Sequence, residues 1–235
     1  MPIRAVLFDW GGTLVHQPPT PPDTAYAAVA KYARHTLFLA LRDQVFELAF
    51  RESVEHLQTA DECPALSSLI NAAFERLGWS LDDEDIANCT ERFFTEATAK
   101  DTVFDDARAL LASLKYRGYR TGVASNAIYP GAMYAGLLSD LGLSGYLDTF
   151  VTSADTGRPK PSPETCLEAL RAIGIDPHEA LFVGDTLETD IAGARAAGMR
   201  AILLDRAGRH SEGAGYLVVE RLSALNELLG EGTAV

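Results

Sequence analysis

Three aspartates stand where short apolar runs of the chain end. Asp9 follows residues 3–8 within Phe8-Asp9-Trp10-Gly11-Gly12-Thr13-Leu14, while Asp185 and Asp190 follow residues 180–183 within Val183-Gly184-Asp185-Thr186-Leu187-Glu188-Thr189-Asp190. A single Asp after a strand is ordinarily a turn or a helix cap. Two strands that both end beside Gly and Asp point further, because ligands of open parallel sheets bind beyond the carboxyl ends of the strands. Crowded carboxylates repel one another unless protonated or bridged by a cation, and hard oxygen donors suit Mg²⁺. The three positions therefore predict a magnesium site. Two more segments add a hydroxyl and a cation: Val123-Ala124-Ser125-Asn126 after a third apolar run, and Gly157-Arg158-Pro159-Lys160-Pro161 before a helix. Ser125 alone reads as an N-cap and Lys160 alone as a surface charge; the four segments together are far more specific.

The elements that must bring these residues together follow from periodicity. Continuous apolar runs at 3–8, 121–124, 149–152, 180–183, 201–204 and 216–219 read as buried parallel strands. A helix is predicted over 105–117, with Ala107, Leu110, Leu111 and Leu114 on one face and Gly118 as its stop. Another is predicted with Ser162 as N-cap and Pro163 at the first helical position, turning Cys166, Leu167, Leu170 and Ile173 inward and ending at Gly174. Strands that alternate with helices imply a parallel sheet covered on both faces, an α/β fold.

Residues 17–100 differ, with helical periodicities and no strand pattern. The inward sets read as Tyr26, Val29, Ala30 and Ala33; Val45, Leu48, Ala49 and Glu52; Leu66, Leu69, Ile70, Ala73 and Leu77; and Ile86, Cys89, Phe93 and Ala97. This is a helical insertion after the first strand, entered through Gln17-Pro18-Pro19-Thr20-Pro21-Pro22, a stretch that four prolines make semi-rigid.

Composition narrows the partners. The chain has 235 residues, 47% hydrophobic and 23% charged, an ordinary globular mixture. Its formal charge of −13 repels nucleic-acid phosphates, with no Lys/Arg run to offset it. Neither a membrane-length apolar run nor a secretory signal is evident, so the expectation is a cytoplasmic protein with no membrane partner. Cys63, Cys89 and Cys166 lie far apart without a CxxC and read as buried or neutral thiols.

With these four segments in this order and spacing, the sequence resembles the haloacid dehalogenase-like hydrolases, in the subgroup with a helical cap inserted after the first strand. The resemblance runs from residue 3 to about residue 204. It implies a Rossmann-like doubly wound parallel sheet formed by 1–16 and 103–235, with an α-helical cap domain over 17–102. It places Asp9 on a central strand, flanked by the strands that end at Ser125 and Asp185. It also implies phosphoryl transfer to a small-molecule phosphate substrate, with Asp9 as nucleophile forming an aspartyl-phosphate that water hydrolyses. Asp9, Asp185, Asp190 and the Gly11 carbonyl would hold Mg²⁺, while Gly12, Thr13, Ser125, Asn126 and Lys160 would contact the phosphate. Ser125 can hydrogen-bond a phosphoryl oxygen and Lys160 can neutralise charge there.

In one respect the chain departs from that pattern. Phosphatases of the family usually carry a second Asp two residues after the nucleophile, which protonates the leaving alkoxide and then activates water; here that residue is Gly11. Loss of such help typically lowers the rate about 10²- to 10⁴-fold. The expected outcomes are slow hydrolysis of esters with good leaving groups, then a C–X or C–P substrate as in dehalogenases and phosphonate hydrolases, then a catalytically weak phosphate-binding or regulatory protein. A phosphonate hydrolase would need a cap lysine, for which Lys31 and Lys100 are the candidates; His16, Arg42 and Trp10 are further residues that could reach the site. The dehalogenases use no magnesium, and Gly184-Asp185 with Asp190 looks phosphatase-like. A signalling receiver domain would be much shorter, and a dinucleotide-binding reading lacks Gly-x-Gly-x-x-Gly.

Overall fold

Each of the six apolar runs becomes a strand of a single sheet in the computed structural model, which describes residues 2–18, 23–59, 61–210 and 216–230. In chain order the elements are β1 (Ala5–Phe8), β2 (Val15–His16), α1 (Asp23–His35), α2 (Asp43–Leu57), α3 (Leu66–Arg76), α4 (Asp83–Thr98), β3 (Thr102–Val103), α5 (Asp105–Tyr116) and β4 (Arg120–Ser125). They continue with α6 (Tyr134–Asp140), β5 (Thr149–Thr152), α7 (Ser153–Thr156), α8 (Glu164–Ile173), β6 (Ala180–Gly184), α9 (Ala192–Ala196), β7 (Arg200–Leu204), β8 (Leu217–Val219) and α10 (Leu225–Leu228).

The sheet runs β5-β4-β1-β6-β7-β8, with all neighbours parallel. The chain winds outward from β1 through β4 to β5, then crosses to β6 on the other side of β1. Strand order thus reverses at β1, where such sheets open a crevice. Phe8 pairs with both Val123 and Val183, so the residues just beyond these positions leave the sheet at one level. The two-residue alternation of a strand builds two cores. Val6 and Phe8 join Leu110, Leu111 and Leu114 of α5 on one face; Ala5 and Leu7 join Cys166, Ala169 and Leu170 of α8 on the other.

The insertion is four helices, α1 to α4, packed around aromatic side chains. Phe50 stacks on Phe93 at 5.0 Å, and Tyr26 meets Phe93 edge-on at 5.3 Å. The inward faces of α1, α3 and α4 contain the residues expected there. That of α2 does so only at Ala49: Val45, Leu48 and Glu52 are exposed, while Phe46, Phe50 and Ser53 are buried beside Ala49. Two phenylalanines remove more apolar surface from water than a Val and a Leu, and Phe46 finds Phe74 at 5.4 Å. The helix after Lys160 is also shifted. Its first turn closes from the Leu167 N–H to the Pro163 carbonyl, which makes Pro163 the N-cap, and Ser162 Oγ instead donates to the Glu164 carboxylate. Residues 159–162 already form a turn, with Ser162 N–H on the Pro159 carbonyl, and so the helix begins later.

The chain enters and leaves the insertion through an antiparallel ladder, with Val15 opposite Val103 and His16 opposite Thr102. Pairs of two residues are too short to show as periodicity. Of the proline-rich entry only Gln17 and Pro18 lie within the described residues. The insertion meets the core where Cys63 N–H donates to the Gly157 carbonyl and Leu66 N–H to that of Ile128. All three cysteines are free and buried, and burial pushes the Cys89 and Cys166 thiols up to about 12. Among the described residues no helix is long and apolar enough to cross a membrane.

Candidate active site

At the carboxyl ends of β1, β4 and β6 the four segments converge. Asp9 follows β1, Ser125 ends β4, Asp185 follows β6, and Lys160 arrives from the turn before α8. Lys160 is 2% exposed, and its ammonium uses its three donors on Asp9 Oδ1 at 2.8 Å, Asp190 Oδ1 at 2.6 Å and the Ala124 carbonyl at 2.8 Å. Burial alone would push its pKa down; the Asp9 and Asp190 carboxylates outweigh that and hold it above the ordinary lysine value. Ser125 Oγ donates to Asp9 Oδ1 at 2.8 Å. One oxygen of Asp9 is thereby gripped by two donors, while Oδ2 has no hydrogen-bond partner among the described residues.

The turn carrying Lys160 is positioned by Asn126. Its Oδ1 accepts from the Lys160 N–H at 2.7 Å and its Nδ2 donates to the Lys160 carbonyl at 2.9 Å. The dipeptide Ser125-Asn126 therefore orients the nucleophile candidate with one side chain and the lysine's main chain with the other. Gly193 faces the lysine stem, since a Cβ there would lie 3.3 Å from Lys160 Cβ and Cγ.

Asp9, Asp185 and Asp190 each present a carboxylate oxygen, and these atoms lie within 4.8 Å of one another. Three carboxylates against one ammonium leave two negative charges uncompensated. Burial first and Asp9 second push Asp190 up to about 6, opposed by its bonds from Lys160 and the Thr186 N–H. Asp185 reaches solvent, yet the protein on its inner side and then the Asp9 charge raise its pKa. A divalent cation fits this arrangement by charge and by donor type. Gly12 supports the fit: its φ is +76°, and a Cβ there would stand 2.3 Å from Asp185 Oδ2, so the carboxylate lies in a cradle that a side chain would fill. Asp190, with both oxygens already engaged, is suited to orienting Lys160; Asp9 and Asp185 have the freer oxygens.

The cleft around this cluster encloses about 410 Å³ and is lined by Asp9, Gly11, Gly12, Gln17, Pro18, Ser125, Asn126, Lys160, Asp185, Thr186, Thr189 and Asp190. Thr13 lies outside it, fully buried with Oγ1 unpartnered among the described residues, and its carbonyl accepts from Arg206 at 3.0 Å. Trp10 packs edge-on against Phe150 and Tyr134 in the core. His16 is exposed and meets the Phe104 ring, and Arg42 is an exposed N-cap of α2. Lys31 lies on a separate groove between α1 and α4, and Lys100 is exposed away from the cleft. Sequence reasoning missed Gln17: nothing in a Gln next to a proline run marks it as a neighbour of Gly11.

Known proteins bear on this geometry. A family model described as haloacid dehalogenase-like hydrolase matches residues 3–198. The chain belongs to the haloacid dehalogenase-like hydrolases. A glyceraldehyde 3-phosphate phosphatase of Methanothermobacter thermautotrophicus is 35% identical over 133 residues, 54% of this chain and 58% of that protein's length. A phosphoglycolate phosphatase of Rhodospirillum rubrum is 29% identical over 209 residues, 86% of this chain and 79% of that protein. Among solved structures, a 2-haloacid dehalogenase from Pseudomonas syringae pv. Tomato superposes with a TM-score of 0.70 at 26% identity, covering 98% of this chain and all of that one. A HAD phosphatase from Thermococcus onnurineus superposes with a TM-score of 0.63, also at 26% identity, over 99% of this chain. The hydrolase family expected from the four motifs, and its α/β sheet, are those found.

Proposed function

We propose that this hydrolase is a magnesium-dependent phosphatase of small phosphorylated metabolites, acting through an aspartyl-phosphate on Asp9. In this reading residues 17–102 form a cap over a core made of 1–16 and 103–235. The observation that carries it is the pinning of Asp9 Oδ1 by Ser125 and Lys160, which leaves Oδ2 without a hydrogen-bond partner among the described residues, in a carboxylate clustered with Asp185 and Asp190. A carboxylate is a weak nucleophile, and fixing one of its oxygens aligns the other for in-line attack. The names of the two phosphatase relatives support a phosphate ester as substrate.

The chain's own residues account for most of the work. Asp9 attacks phosphorus and the ester oxygen departs. Lys160 and Ser125 stay on the Asp9 side and balance the charge that the phosphoryl group adds. Magnesium held by Asp9, Asp185 and the Gly11 carbonyl, with Asp190 beside it, would withdraw charge from the phosphoryl oxygens. With no proton donor at residue 11, the departing oxygen leaves without help, which favours acyl, aryl or otherwise stable leaving groups. The phosphonate alternative needs a lysine at the reacting carbon, and among the described residues Lys160 is the lysine that lines the cleft.

The test is hydrolysis of p-nitrophenyl phosphate and acetyl phosphate with and without magnesium. Magnesium-dependent turnover that Asp9→Asn abolishes is expected; turnover surviving that substitution would remove Asp9 as nucleophile.

A further inference from the structure

Gly11 leaves a space beside the nucleophile, and another part of the chain fills it. A Cβ built on Gly11 would stand 2.3 Å from Gln17 Oε1 and 3.2 Å from Gln17 Cδ. The amide of Gln17 thus occupies the volume into which a side chain at residue 11 would project, and it lines the same cleft as Asp9. Its orientation is determined by Asp101, which accepts from Gln17 Nε2 at 2.9 Å. A carboxylate has no proton to donate, so the NH₂ end must face Asp101 and the Oε1 end must face Gly11. Asp101 is 7% exposed and comes from the end of the insertion, just before β3. The β2–β3 ladder holds the two partners side by side across 84 residues of chain.

We propose that Gln17 orients the water that hydrolyses the Asp9 phosphoenzyme, with Asp101 as the residue that positions Gln17. This rests on the aspartyl-phosphate reading given above. An amide oxygen cannot take a proton near neutral pH but can accept a hydrogen bond from water, which fixes the direction of attack. In the step itself the water oxygen bonds to phosphorus and the phosphorus–Asp9 oxygen bond breaks. Asp9 regains its carboxylate, and both water protons finish on the product as dihydrogen phosphate. A loose transition state needs little removal of charge from the water before that bond breaks, so orientation without a strong base is sufficient. The same geometry gives Gln17 no part in protonating the leaving alkoxide. Its influence therefore falls on the second half-reaction alone.

The experiment separates the half-reactions by rapid acid quench with phosphorus-labelled acetyl phosphate and magnesium. In Gln17→Leu, phosphorylation of Asp9 is expected to stay within about two-fold of wild type, while dephosphorylation falls about 10- to 100-fold, the scale of a misdirected nucleophile. Labelled enzyme then accumulates as a burst near one equivalent. Asp101→Ala, which frees the amide, is expected to show the same split. Asp101→Asn retains an oxygen that can accept from Nε2 and is expected to recover dephosphorylation to within about five-fold. Equal losses in both half-reactions, or none in either, would overturn the role of Gln17. Turnover with no acid-stable phosphoenzyme in any of the proteins, and no dependence on Asp9, would instead overturn the reading on which it rests.

Discussion

Replacing Gly11 with Asp puts a carboxyl group beside the departing oxygen, and its effects on rate and on stability can be estimated separately. The backbone tolerates the change, since Gly11 is not among the glycines with positive φ. The new Cβ does collide with the Gln17 amide at 2.3 Å, and Gln17, held at the far end of a flexible side chain, has to swing away. Its bond to the buried Asp101 is then lost. A hydrogen bond to a charged group contributes about 1.5 to 3 kcal/mol, which for a chain of this size lowers Tm by roughly 3 to 12 °C. Against this, a positioned acid and base contributes about 10²- to 10⁴-fold in rate, or roughly 3 to 5 kcal/mol of barrier. The part of the gain that comes from the acid is confined to substrates whose leaving oxygen needs a proton. We therefore expect Gly11→Asp to raise kcat on an alkyl phosphate about 10²-fold relative to kcat on p-nitrophenyl phosphate, while the protein melts earlier. Steady-state assays on both substrates, with a thermal scan, measure each part. A folded, magnesium-binding variant whose alkyl-to-aryl ratio is unchanged would refute the reasoning, and would show that the cleft serves another leaving group.

Two further outcomes follow from the same contacts. Gly12→Ala forces a Cβ into a left-handed position 2.3 Å from Asp185 Oδ2, so calorimetric titration should show magnesium affinity reduced about ten-fold or more, with roughly 1 to 2 kcal/mol of backbone strain; unchanged affinity would remove Asp185 as a ligand. At Asp148 burial opposes the charge, but hydrogen bonds from Lys115 at 2.7 Å and the Thr121 N–H at 2.8 Å prevail and hold the carboxyl below its usual value. A carboxyl depressed in the folded state stabilises it above the unfolded pKa of about 3.9, and that contribution is lost as pH falls through the folded value. Asp148→Asn should thus cost about 1 to 2 kcal/mol in urea unfolding at pH 7 and progressively less below pH 4; a difference that does not shrink as pH falls below 4 would count against this account.

Local chemistry was enough to locate most of the frame. Apolar runs mark strands because both faces of a parallel strand are buried, and β1 and β6, which end beside Asp and Gly, and β4, which ends at Ser125 before Asn126, appear where those runs lie. Gly118 and Gly174 take the positive φ that a helix stop requires, and this too is a property of the residue itself. Asp9, Ser125 and Asp185 could be grouped in advance because each sits at the end of such an element and parallel topology places those ends together; Lys160, on the turn before α8, was added through the resemblance of its segment to the family's motif. Tertiary structure decided what depends on competition between distant groups. The face of α2 was settled by Phe74 and Phe93, to which Phe46 and Phe50 offer more surface than Val45 and Leu48. Thr13 went into the interior, although its motif suggests the phosphate: the turn after β1 buries it and ties its carbonyl to Arg206. Asn126 was drawn to the main chain of Lys160, 34 residues away. Gln17 met Asp101 through a two-residue ladder that no periodicity reveals. A sequence carries the preferences of neighbouring residues; the chain's closure in space determines which side chain fills the gap that a glycine leaves.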